Sequence, residues 1–138
     1  MLFVFDENFS KNLASGLDLL DKSNPAGQAL PVDVIAAEVF MGKIGATDLE
    51  LYEAVGKAGG VVFTKDKDFK DIKLLNSVIN NHKAKVLFFR QSKKFIFFWD
   101  ILTAIVNNWD KIKTVLNESA PPYVYEFDIK AGISPRPF

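Results

Sequence analysis

Unbroken apolar runs set the rhythm of this chain. Residues 2–5 (Leu2-Phe3-Val4-Phe5), 61–63 (Val61-Val62-Phe63) and 86–89 (Val86-Leu87-Phe88-Phe89) are apolar at every position. A strand with one face in water alternates, whereas one covered on both faces does not, so these runs predict buried strands of a parallel sheet. Residues 32–36 predict another strand, although Ala36-Ala37-Glu38 also fits the first turn of a helix. Between the runs, apolar residues recur at helical spacing: Leu13, Leu17 and Leu20 behind a capping Ser10, then Ile72, Leu75, Val78 and Ile79. Thr47-Asp48-Leu49-Glu50 is a capping box that opens a helix burying Leu51, Ala54, Val55 and Ala58 and stopping at Gly59-Gly60. Residues 94–118 predict one long helix, apolar nearly all round in its first half and so expected to be buried on more than one side. In its second half Ile105, Trp109, Ile112 and Leu116 line up, and Pro121-Pro122 stops it. Residues 123–129 alternate and predict an edge strand, with an irregular tail containing Pro135 and Pro137.

Strands alternating with helices predict a single three-layer α/β/α domain around a mainly parallel central sheet, with right-handed crossovers. The 138 residues suffice for one domain, burying about two-thirds of the unfolded surface. Lys and Arg balance Asp and Glu at 17 each, so attraction to nucleic acid would have to come from a local patch. The chain has no cysteine, which excludes disulfides and thiolate zinc sites and fits a cytoplasmic setting. Met1 leads directly into the first apolar run, so no secretory leader is expected, and residues 95–106 are too few to span a bilayer.

Carboxylates gather where the strands end. Asp6 follows the first run, Asp66 and Asp68 follow the third strand, and Asp48 opens a helix. Open α/β sheets place ligands at the carboxyl ends of their strands. If the first and third strands are neighbours, Asp6 and Asp66 converge, and like charges brought together call for a Mg²⁺ or Mn²⁺ ion or for raised pKa values. Each acid also has a plain structural explanation. Asp48 suits a helix start, Asp6 with Asn8 suits a turn, and Asp66 with Asp68 could be balanced by Lys65, Lys67 and Lys70. Glu7, Glu38 and Asp71 are expected at the surface.

Asp6-Glu7-Asn8 after the first strand, Ala46-Thr47-Asp48 at a helix start, and Val62-Phe63-Thr64-Lys65-Asp66-Lys67-Asp68-Phe69 occur in this order within the first 90 residues. Together they resemble the PIN-like nucleases, with the nearest likeness to the branch of VapC-like toxins. The resemblance implies a single PIN-like domain over residues 1–138. It also implies a metal-dependent endoribonuclease acting as the toxin of a type II toxin–antitoxin pair, with RNA as substrate and a cognate antitoxin as partner. The family's acids carry over onto Asp6, Asp48, Asp66 and Asp68 as catalytic and metal-binding residues, and Thr64 matches a polar residue that orients an acid. Many members carry a glutamate in a central helix; Glu38 and Asp48 compete for that role, and Asp48 is preferred.

On this reading Mg²⁺ or Mn²⁺ held by Asp6, Asp48 and Asp66, with Asp68 in support, activates a water and relieves charge on the phosphate. Asn8 would orient a ligand or touch phosphate. Lys65 and Lys67 would line the rim beside Lys70 and Lys73, and Lys83, Lys85, Arg90, Lys93 and Lys94 form a second basic cluster in which Arg90 is the best phosphate contact. His82 is expected at the surface. The aromatics Phe95, Phe97, Phe98 and Trp99 read as core rather than as a platform for bases, and their helix as a homodimer or antitoxin interface. A phosphoacceptor receiver domain fits poorly, because Asp48 opens a helix instead of ending a middle strand. A catalytically inactive PIN-like module that binds protein partners remains the alternative.

Overall fold

A computed structural model describes residues 1–25, 29–65, 72–90 and 97–136. Six strands, β1 (Leu2–Phe5), β2 (Asp33–Ala36), β3 (Val61–Thr64), β4 (Lys85–Arg90), β5 (Tyr123–Asp128) and β6 (Gly132–Pro135), form one sheet in the order β2-β1-β3-β4-β5-β6. All neighbours run parallel except β5 and β6. The helices are α1 (Lys11–Lys22), α2 (Ala37–Met41), α3 (Asp48–Lys57), α4 (Ile72–His82), α5 (Phe98–Asn107) and α6 (Trp109–Glu118). The architecture is therefore the expected three-layer α/β/α fold with a mainly parallel sheet.

Alternation along the buried strands sorts side chains into two cores. Phe3, Phe5, Val61, Phe63, Leu87 and Phe89 pack with Leu13 and Leu17 of α1, Ile105 of α5 and Ile112 and Leu116 of α6. Val4, Val62, Val86 and Val124 face Leu51, Tyr52 and Val55 of α3 and Ile79 of α4. A row of phenylalanine rings crosses the first core, with Phe5 stacked on Phe63 at 4.5 Å, Phe63 tilted on Phe89 at 6.0 Å and Phe89 on Phe127 at 5.1 Å. Such pairs contribute roughly 0.5–1.5 kcal/mol each beyond the area they bury, so the row stiffens the sheet near its carboxyl edge.

The local signals in the sequence operate as read. Ser10 Oγ accepts the Asn12 N–H at 3.2 Å, and Thr47 and Glu50 complete the reciprocal capping box. Ala36 ends β2 and Ala37 begins α2, so both readings of that stretch apply. Gly60 brings the chain from α3 close to β1; a Cβ there would lie 3.0 Å from Val55 Cγ1 and 3.1 Å from the Leu2 carbonyl oxygen.

Four expectations need correction. Residues 94–118 do not form one helix: α5 and α6 are separate and meet at Asn108, whose side-chain amide donates to the Ala104 carbonyl at 2.8 Å. Nor is the first half buried on several sides, since Phe97, Phe98 and Trp99 are 67%, 42% and 70% exposed. Residues 123–128 are not an edge strand, because the chain turns at Asp128, whose carboxylate accepts the Lys130 and Ala131 N–H groups, and returns as β6. Pro135 is tolerated there because an outermost strand does not need every N–H. Ala58 is exposed rather than buried; it ends α3 as its C-cap, and an inward position of that helix falls to Tyr52.

Polar groups secure α1 at its far end. Asp21 Oδ1 accepts from Lys113 Nζ at 2.7 Å and from Trp109 Nε1 at 3.0 Å, and both charged side chains are only 2% exposed. The Asp18 carboxylate accepts the Val34 N–H of β2 at 2.9 Å. No described helix is long and apolar enough to cross a membrane.

Candidate functional site

The strand order places a switch point between β1 and β3: the chain leaves β1 toward β2 on one side and later adds β3 on the other. Crevices outside the carboxyl ends of strands form at such points. Asp6 is the first residue beyond β1, and its N–H donates to the Phe63 carbonyl at 2.9 Å, so it sits directly against the end of β3. Its side chain belongs to the same layer as Val4, facing α2 and α3. There it lines a small pocket of about 150 Å³ with Glu7, Asn8, Ala37, Ala46, Asp48 and Leu51.

Asp6 is 6% exposed, and burial pushes its carboxyl above the usual carboxylate range. Hydrogen bonds from Thr64 and Asn8 and the charge of Lys65 oppose the rise. Asn8 donates twice, from its backbone N–H to Oδ1 at 3.0 Å and from its side-chain amide to Oδ2 at 3.4 Å. These donors fix both carboxylate oxygens in a tight turn while burial makes the charge costly. A carboxylate held this way gains most from a cation.

Asp48 joins Asp6 in the pocket because Thr47 caps α3 with its first residue at the pocket wall. The structure thus brings together Asp6, Asn8 and Asp48, with Thr64 behind Asp6. Asp66, Lys67 and Asp68 lie outside the described residues, as do Lys70, Asp71, Lys93, Lys94 and Phe95. Glu38 stands half-buried in the first turn of α2 and is not part of the pocket lining. Glu7 is the residue that sequence reasoning undervalued. It is exposed, but Oε1 accepts the Gly45 N–H at 2.7 Å, anchoring the loop before α3. Gly45 has φ +78°, a conformation that favours glycine. Only the pair of glycines at 42 and 45 hinted that this loop is shaped.

The expected cations separate. Lys65 is partly buried with Nζ 5.0 Å from the Phe9 ring centre, and desolvation lowers its pKa while the charge of Asp6 raises it. Arg90 ends β4 and is 65% exposed, with Nε 3.6 Å from Glu126 Oε1. Lys85 begins β4, where Nζ donates to the Gly59 carbonyl at 3.1 Å. Arg90 and Lys85 therefore lie at opposite ends of one strand, roughly 17 Å apart at about 3.3 Å per residue. Among the described members of the second basic cluster, Lys85 and Arg90 are thus apart, with Arg90 on the carboxyl edge. His82 is at the amino edge, with Nε2 3.9 Å from Glu53 Oε1.

Among the described residues no three Asp, Glu or His side chains gather closely enough to form a cation site on their own. The oxygen donors of Asp6 and Asp48 nevertheless suit Mg²⁺, which is held by one or two carboxylates and completes its shell with water and substrate phosphate. The buried, donor-oriented Asp6 is the observation that favours this fit. The family described as the PIN-like domain matches residues 1–91 of the chain. No curated protein and no solved structure matches it.

Proposed function

The chain belongs to the PIN-like domain family, and on that premise we propose that the Asp6 pocket is the centre of a metal-dependent endoribonuclease. The supporting observation is that Asp6, buried at the β1–β3 switch point, shares a 150 Å³ pocket with Asp48. Asp6 and Asp48 would hold Mg²⁺ or Mn²⁺, joined by Asp66 and Asp68. When bound, such an ion lowers the pKa of a water and offsets charge developing on the phosphate. The chain's own residues prepare that chemistry. Asn8 and Thr64 orient the Asp6 carboxylate and favour its ionised form. Glu7 holds the loop that carries Asp48. Lys65, Lys67 and Arg90 supply positive charge to the RNA backbone, which accounts for most non-specific affinity.

Incubation with mixed RNA and Mn²⁺ tests this reading. The wild-type chain degrades RNA, and Asp6→Asn removes most of that activity. Degradation that survives Asp6→Asn combined with Asp48→Asn removes the pocket from the mechanism. No degradation with any divalent metal favours a binding module instead.

The finer assignment is the toxin of a type II toxin–antitoxin pair, of the VapC-like branch, acting in the cytoplasm against a cognate antitoxin. Its support is the sequence around Asp6-Glu7-Asn8 and Thr64. Expression in a bacterial host is expected to arrest growth, with Asp6→Asn relieving the arrest. Unimpaired growth alongside RNA cleavage in vitro would leave a nuclease that is not a toxin.

A further inference from the structure

Two distant parts of the chain build the Asp6 pocket, and Glu7 stands where they meet. One part is the turn after β1. Asn8 donates to both oxygens of the Asp6 carboxylate there, and the Phe9 N–H donates to the Asp6 carbonyl at 3.1 Å. The buried Phe9 ring packs edge-on against Phe5 at 4.9 Å, so the turn is anchored in the first core. The other part is the loop ahead of α3, which bends at Gly42 and Gly45 with φ +70° and +78°. Ala46 at the end of that loop and Asp48 two residues later both line the pocket.

The hydrogen bond from the Gly45 N–H to Glu7 Oε1, 2.7 Å long, joins the two parts across 38 residues of chain. A carboxylate acceptor makes such a bond short and strong. Lys43 and Thr47, by contrast, tie the loop to its own helix: Glu50 Oε2 lies 3.3 Å from Lys43 Nζ and accepts the Thr47 N–H at 3.0 Å. Those contacts shape the start of α3 without relating it to Asp6. The body of α3 is seated in the second core by Leu51, Tyr52 and Val55, whereas Thr47 and Asp48 in its opening turn are exposed. Two carboxylates that share a pocket repel each other. Their spacing therefore depends on what holds the exposed turn against the Asp6 side, and the Glu7 bond does so.

We propose that Glu7 is a positioning residue that sets the affinity of the pocket for a divalent cation, by strapping the Asp6 turn to the Asp48 loop rather than by ligating the ion. The proposal rests on the reading of Asp6 and Asp48 as metal-binding residues and adds what fixes their separation. Ligation is the competing explanation, because the Glu7 carboxylate also lines the pocket. Against it, Glu7 is exposed and one of its oxygens is committed to Gly45. Partners that orient metal ligands govern affinity without touching the ion.

The test is a Mn²⁺ titration of the full chain at pH 7, read by the electron paramagnetic resonance signal of free aqueous Mn²⁺. Glu7→Ala removes the bond to Gly45. Glu7→Gln keeps a side-chain oxygen that accepts the N–H but discards the charge, and Glu7→Asp keeps the charge but is one methylene too short. Glu7→Ala and Glu7→Asp are expected to weaken Mn²⁺ binding by about 10- to 100-fold, the range for losing a partner that orients a ligand. Glu7→Gln stays within about 5-fold of wild type, the worth of one exposed charge. Glu7→Ala within that same margin overturns the proposal, as does Glu7→Gln falling as far as Glu7→Ala while Glu7→Asp binds like wild type. A wild-type chain that binds no Mn²⁺ overturns it too. The two readings fail separately when RNA cleavage is measured alongside. Binding that depends on Glu7 in a chain that never cuts RNA refutes the nuclease and leaves the strap. Cleavage with a Mn²⁺ affinity indifferent to Glu7 refutes the strap and leaves the nuclease.

Discussion

Replacing Lys113 with methionine separates the charge of the α1–α6 tie from its packing. In the wild type the Asp21 carboxylate and the Lys113 ammonium meet at 2.7 Å with each side chain 2% exposed, and Trp109 Nε1 adds a second donor. Burial works to raise the Asp21 pKa, but hydrogen bonds from Lys113 and Trp109, the Lys113 charge and the Val32 N–H together hold it below the usual range. The unbranched methionine side chain would fill the space and leave a buried carboxylate without its cation. Breaking a buried pair in this way costs about 3–5 kcal/mol. For 138 residues the unfolding entropy is about 0.3 kcal/mol per kelvin, so Tm should fall by about 10–17 °C. Asp21→Asn alone strands the ammonium and costs a similar amount. The double variant Asp21→Asn/Lys113→Met keeps an acceptor for Trp109 and Val32 without either charge, and should return to within about 2 kcal/mol of wild type. Urea unfolding of the four proteins at pH 7, followed by circular dichroism, gives the coupling directly. Single variants that each cost under about 1 kcal/mol, or a double variant equal to their sum, would refute the account. The sign with pH is also fixed. A carboxyl with a folded pKa below its unfolded value stabilises fully above that unfolded value, near 3.9, and loses the contribution as pH falls through the folded one. Acid should therefore weaken the wild type through Asp21, and the double variant should lack this component.

Asp6 has the opposite sign: its folded pKa is raised, so the metal-free protein loses stability as pH climbs from the unfolded value through the folded one. Asp6→Asn should accordingly raise Tm at pH 7 in EDTA, with the gain vanishing near pH 3, while Mn²⁺ raises Tm only in the wild type; scanning calorimetry across pH reads both. Thr64→Val removes the hydroxyl that bonds to Asp6, which should shift the acid limb of any Mn²⁺-dependent cleavage profile to higher pH with little change in the alkaline limb. Gly60→Ala forces a Cβ to within 3.1 Å of the Leu2 carbonyl oxygen, and should cost about 1–3 kcal/mol in chemical denaturation.

Where a residue's neighbours lie close in sequence, the elements of the fold were legible. Three apolar runs became strands and Thr47-Asp48-Leu49-Glu50 became a complete capping box, whereas the β1–β3 pairing that sets Asp6 against the end of β3 joins residues 58 apart and stood in the sequence only as a condition. What escaped depended on distant chain. The apolarity of residues 97–99 reads identically in a core and on a solvent-facing turn, and only the placement of α5 decides. Glu7 looked like a surface acid because its partner, the Gly45 N–H, is 38 residues away. Lys85 and Arg90 seemed parts of one cluster because composition ignores the length of the strand that carries them to opposite ends.

Asp18 does more than join a helix to a strand. By taking the Val34 N–H it occupies part of the hydrogen-bonding rim of β2, while at the opposite rim Pro135 of β6 offers no N–H at all. Both margins of the sheet are thereby discouraged from recruiting a strand of another molecule. Self-association of the folded protein is left to side-chain surfaces. The protection at β2 lasts only while α1 stays seated, and α1 is seated by Asp21 and Lys113. Loosening that pair should therefore convert a stability defect into fibrillar or amorphous precipitation on warming, with the rim of β2 as the first point of growth.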